Sequence, residues 1–107
     1  MPQRARPQLE PFVYDFARRL RDEVGAEKVI LFGSRARGDW LKESDYDFIV
    51  VSRRFEGVPW ISRPVELYRL WKGRPGVELL CYTPEEFERQ RRRISIVAEA
   101  VKEGIEL

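Results

Sequence analysis

Histidine is absent from the 107 residues, and cysteine and methionine occur once each. Without imidazole the chain lacks the usual general base at neutral pH and the commonest transition-metal ligand. Its chemistry must rest on carboxylates, hydroxyls, amines or a hard cation. The one cysteine, Cys81, cannot close an internal disulfide, and its apolar neighbours make it core rather than nucleophile. No stretch approaches the roughly 20 apolar residues that span a bilayer. Met1 to Glu10 is polar and interrupted by proline, unlike a secretory leader, so the expectation is a cytoplasmic protein with no membrane partner. An excess of one charge is lacking too: 20 Lys and Arg against 18 Asp and Glu leave +2, too little to hold nucleic acid by bulk charge. The length predicts a single domain over 1–107.

What is present suffices for a small core under a heavily charged skin, with 43% hydrophobic, 12% aromatic and 36% charged residues. Leu9, Phe12, Val13, Phe16, Ala17, Leu20 and Val24 recur at helical spacing, and Gly25 supplies a stop. Val29-Ile30-Leu31-Phe32 reads as a buried strand ending at Gly33-Ser34, and Tyr46 to Ser52 and Val77 to Tyr82 read as two more. Between the last two, Phe55 to Pro64 reads as irregular and Val65 to Trp71 as a short helix stopped by Gly73 and Pro75. Thr83-Pro84-Glu85-Glu86 places a cap, a proline at the first helical position and a glutamate three residues beyond the cap, which opens a helix. Its apolar stripe runs through Phe87, Ile94, Val97, Ala98 and Val101 to Gly104, with a break near Ser95. The expected class is α/β (α+β), a small mixed sheet with helices packed on one side and the opposite face partly free.

Chemistry concentrates between Leu31 and Val51. Side chains alternate along a strand, so Asp45 and Asp47 point the same way and form a hard-cation site of oxygen ligands, suited to Mg²⁺ or Mn²⁺ and to the phosphates of a nucleotide. Gly33 lets the backbone approach a phosphate, Ser34 opens a short helix where anions bind, and Arg35 and Arg37 bring positive charge within reach of a triphosphate tail. Glu78, acidic within an apolar run, is the candidate third carboxylate, completing a metal shell or accepting a proton from an attacking hydroxyl. Taken alone, Asp45-x-Asp47 also fits a solvated strand start, and Glu78 an edge-strand charge that blunts aggregation.

Gly33-Ser34, ten intervening residues and then Asp45-x-Asp47, within the fuller pattern Gly33-Ser34-Arg35-Ala36-Arg37-Gly38 and Ser44-Asp45-Tyr46-Asp47, resembles the signature of the minimal nucleotidyltransferases of the DNA polymerase β superfamily. Val77-Glu78-Leu79 and Thr83-Pro84-Glu85-Glu86 extend the resemblance, although the family more often has Asp where this chain has Glu78. The resemblance implies a polymerase-β-like fold and two-metal transfer of a nucleoside monophosphate, AMP from ATP, to an acceptor hydroxyl. In it Asp45, Asp47 and Glu78 would hold Mg²⁺ and do the catalysis, and Gly33, Ser34 and Arg37 would bind the nucleotide. It also implies an all-helical partner of the HEPN class, paired with this chain as toxin and antitoxin and modified on a tyrosine.

A chain this short has hardly any acceptor-binding part, so a partner protein or a second copy is expected to complete the site. The reading from another class is a non-catalytic antitoxin or interaction module that keeps the fold and acts by binding. The run Arg89, Arg91, Arg92 and Arg93 beside Glu85, Glu86 and Glu88 reads as an ion-paired surface rather than as a contact for nucleic acid. Trp40, Trp60 and Trp71 read as core or rim, with Trp40 and Trp60 in loops that suit an interface.

Overall fold

The computed structural model describes residues 9–38, 45–73 and 76–107. The first helix, α1 (Pro11–Val24), starts on a proline whose missing N–H is no loss there and ends on Gly25, whose left-handed φ of 64° lets its N–H bond the Arg21 carbonyl. Val13, Phe16, Ala17 and Leu20 form its buried face, as the spacing predicts. Then come β1 (Lys28–Phe32), the short α2 (Ser34–Arg37), β2 (Tyr46–Val51), 3-10 turns at Arg53–Phe55, Trp60–Ser62 and Val65–Leu70, β3 (Val77–Tyr82), α3 (Pro84–Arg91), α4 (Ile96–Glu103) and β4 (Ile105–Glu106). The sheet order is β3-β2-β1-β4; β2 and β3 run parallel, and β1 is antiparallel to both β2 and β4.

The sheet is mixed, as expected, but helices cover both of its faces rather than one. One face of Val29, Leu31, Phe48, Val50, Leu79 and Cys81 packs under α1 and the 3-10 segment. The other, with Ile30, Ile49 and Val51, packs under Phe87 of α3 and Val97 and Ala100 of α4. The cause is visible in the strands: β1 and β2 are apolar at consecutive positions, and such strands must be buried on both sides. Two local readings also change. Val65–Leu70 is a 3-10 turn rather than an α-helix, and β4, unforeseen, is too short to show a period. Ile105 is nonetheless buried opposite Leu31, and the Leu107 N–H bonds the Val29 carbonyl at 2.8 Å.

Trp71 packs, partly buried, against the core, its ring edge-on to Phe12 at 5.3 Å and Phe16 at 5.1 Å. Trp60 instead stands half-exposed against Tyr82, with ring centroids 4.9 Å apart, while Trp40 falls outside the described residues. The crossover between β2 and β3 is held by Arg63, a buried guanidinium. Its Nε donates to the Val58 carbonyl at 2.9 Å, its Nη1 to the Cys81 carbonyl at 3.2 Å, and both Nη atoms to the Glu86 carboxylate. Glu86 also closes the expected capping box, accepting from the Thr83 N–H at 2.8 Å while Thr83 Oγ1 accepts from the Glu86 N–H at 3.2 Å. The Arg63 guanidinium holds the Glu86 carboxyl below the usual carboxylate range. In the basic run, Arg91 and Arg92 both pair with Glu88. Among the described residues no helix is long and apolar enough to cross a membrane.

Candidate active site

The end of the sheet where β1 finishes and β2 and β3 begin collects the acidic residues. Asp47 lies opposite Phe32 on β1 and beside Glu78 on the parallel β3. By alternation it shares a face with Ile49 and Val51, the face under α3 and α4. Asp45 lies one alternation before Asp47, exposed just ahead of β2, with its Oδ1 towards Gly76, the residue immediately before β3. Asp47 is half-buried. That burial, the Glu78 charge, a hydrogen bond with Glu78 and the Asp45 charge together push its pKa from 3.8 up to about 6.

Carboxylates crowded enough to share a proton offer oxygen donors and negative charge in excess, and a divalent hard cation relieves both. The donor set therefore fits Mg²⁺ or Mn²⁺. Closing a metal shell requires the side chains to draw together, because among the described residues no three acidic or cysteine side chains already stand at ligand spacing. The second carboxylate of the crowded pair comes from Glu78, the residue that departs from the family's usual Asp, and its longer side chain still reaches Asp47.

The turn after β1 faces this cluster. Gly33 has φ 76° and ψ −159°, a region that essentially only glycine occupies, and its carbonyl accepts the Ala36 and Arg37 N–H groups at 3.1 Å each. A Cβ on Gly33 would stand 2.6 Å from Asp47 Oδ2. Gly33→Ala therefore costs backbone strain and displaces the Asp47 carboxylate together. We expect a loss of about 2 kcal/mol in stability and a fall in transfer rate of about 100-fold from the misplaced group. Urea titration and a rate assay on one preparation measure both, and a variant matching the parent in each would remove Gly33 from the site.

Ser34 follows as the first residue of α2, half-buried, and Arg37 at the end of α2 is exposed on the same side as Phe32 and Gly33. Arg35 is a correction: it is buried on the other face, its guanidinium carbon 4.4 Å above the centre of the Tyr46 ring, so its charge supports packing rather than a triphosphate. Cys81 is core, as expected, with burial pushing its thiol up to about 12. Ser44 lies outside the described residues. One contributor escaped the sequence reading. Ile96, Glu99, Ala100 and Glu103 of α4 wall a groove that starts at Gly33, and alternating apolar and acidic residues on a terminal helix look like an ordinary half-solvated face.

Residues 13–103 match the model of the nucleotidyltransferase domain family. Among solved structures, a protein of Sulfolobus solfataricus provisionally assigned as a nucleotidyltransferase aligns with TM-score 0.53 and 24% identity, covering 92% of this chain and 87% of its own. BolA1 from Arabidopsis thaliana aligns with TM-score 0.58 and 19% identity, covering 73% of this chain and 98% of its own. These likenesses concern the fold, and two differently named proteins sharing it illustrate why function has to be argued from the site. No curated protein sequence matches the chain.

Proposed function

Because this chain belongs to the nucleotidyltransferase domain family, we propose that it transfers a nucleoside monophosphate, AMP from ATP, to an acceptor hydroxyl with release of pyrophosphate. The observation that carries this reading is the half-buried Asp47 set beside Glu78 and directly facing the side-chain-free Gly33 turn. Asp45, Asp47 and Glu78 are the residues that would hold Mg²⁺, which when bound supplies charge neutralisation for the triphosphate and acidifies the attacking hydroxyl. The Gly33-Ser34 turn would bind the β and γ phosphates, and the exposed Arg37 beside it would pair with their charge. Glu78, exposed at the rim, would take the acceptor's proton. The oxygen of the acceptor forms a bond to the α-phosphorus as the bond to the pyrophosphate oxygen breaks.

The acceptor we put first is a tyrosine hydroxyl on a helical HEPN-type partner, which would make this chain an antitoxin. It follows from the motif resemblance. The test is incubation with α-labelled ATP and Mg²⁺, with and without the helical protein encoded beside this one. Label on that protein, on a tyrosine, is the expected result. Binding to that protein with no label transferred to anything would replace transfer with neutralisation by binding alone.

A further inference from the structure

A groove of about 290 Å³ runs between α4 and the end of β1, with Phe32 and Gly33 on one side and Ile96, Glu99, Ala100 and Glu103 on the other. The four helix residues fall at i, i+3, i+4 and i+7, so one face of α4 forms the wall. Its size is at the lower end of small-ligand sites, which run from about 300 Å³ upwards. Its chemistry is divided. Phe32, Ala100 and the half-exposed Ile96 make an apolar slot, Arg37 adds a cation at the Gly33 side, and Glu99 and Glu103 add two carboxylates. Carboxylates repel phosphate, yet they accept N–H donors strongly.

The groove is continuous with the phosphate turn, because Gly33 belongs to both. We propose that it receives the base of the nucleoside triphosphate, and that Glu99 and Glu103 select bases carrying an exocyclic amino group and reject uracil. The inference rests on the triphosphate reading above and extends it to base choice. Adenine, cytosine and guanine each present an exocyclic amino group to an acceptor-only carboxylate, whereas uracil has carbonyl oxygens in its place, and these flank its one N3–H and meet the two carboxylates with like partial charge. A flat ring in the slot covers Ile96 and Phe32, which gives an otherwise exposed isoleucine an apolar partner.

The experiment is calorimetric binding of ATP, UTP and inorganic tripolyphosphate, each with Mg²⁺, to the parent, to Ile96→Ser and to Glu99→Gln/Glu103→Gln. All three positions are exposed, so the variants are expected to fold, and circular dichroism checks it. The parent should bind ATP about tenfold more tightly than tripolyphosphate, and UTP no better than tripolyphosphate. Ile96→Ser should bring ATP down towards tripolyphosphate without changing tripolyphosphate itself. The glutamine pair, whose amides donate to uracil oxygens, should bring the ATP to UTP ratio close to one. Equal binding of ATP and UTP by the parent, or a ratio the glutamine pair leaves unmoved, overturns base selection while triphosphate binding stands. If neither ATP nor tripolyphosphate binds, the transferase reading falls and the groove assignment falls with it.

Discussion

Asp47→Asn is expected to lower nucleotidyl transfer by a factor on the order of 10³ while leaving the domain folded and, above pH 6, more stable. Both effects have one origin. The folded protein raises the Asp47 pKa from 3.8 to about 6, so between those values it binds more protons than the unfolded chain does. The stability contributed by the neutral carboxyl is therefore complete below about pH 3.8 and is lost as pH rises through about 6. At pH 8 the parent carries a charged Asp47 pressed against Glu78, and asparagine removes that repulsion at nearly the same shape. The gain, discounted for the partial exposure of Asp47, is about 1 kcal/mol, or about 4 °C in melting temperature for a domain of this size. At pH 3.5 it should vanish. Melting curves at both pH values without divalent cations, beside a transfer assay, make the comparison. Transfer that survives the substitution, or a pH 8 melting temperature that does not rise, would each remove one half of the argument.

Arg63→Ala is the largest expected loss of stability. Its guanidinium ties Val58 in the crossover, Cys81 in β3 and Glu86 in α3 to one point, nearly out of contact with water. Truncation removes the donor from two carbonyls and leaves a carboxylate beside a void. Breaking a fully buried ion pair costs about 3–5 kcal/mol, and the partial exposure of Glu86 brings the expectation to about 2–3 kcal/mol. Arg63→Lys keeps the charge but lacks the fork that spans these acceptors, and should recover less than half of that. Arg53→Ala, which removes an exposed pair with Glu27 at 3.3 Å, should cost less than about 0.5 kcal/mol and serves as the control. Urea midpoints rank the three, and an Arg63→Ala midpoint equal to that of Arg53→Ala would show that the buried fork does not hold the crossover.

Much of this was legible from local sequence because the governing signals are local. The glycine stop of α1, the N-terminal cap of α3, the three long strands and the helix break at 92–95 each follow from a few neighbouring residues. Asp47 and Glu78 were likewise legible as types at positions, since an acidic residue in an apolar run is conspicuous. What escaped depends on distant partners. Nothing near Arg35 distinguishes a charge aimed at phosphate from one laid on the Tyr46 ring, because the choice is made by which side of the turn the ring occupies. Nothing near Ile105 announces a strand, because its pairing depends on the open edge of β1. Coverage of both sheet faces could have been inferred from the unbroken apolar run in β2, where Ile49 needs a roof as much as Phe48 does.

The parallel pairing of β2 with β3 also governs when the acidic pair can exist. Asp47 and Glu78 are adjacent in the sheet but separated along the chain by the whole segment from Ser52 to Gly76, which must close before they meet. Closing such a loop is a slow, non-local event, and here it brings two like charges together at its end. Any partly folded form in which β3 is undocked can retain the β1–β2 pairing and the glycine turn, yet it lacks the acidic pair. Recovery of transfer during refolding should therefore trail the recovery of strand signal, timing the arrival of β3.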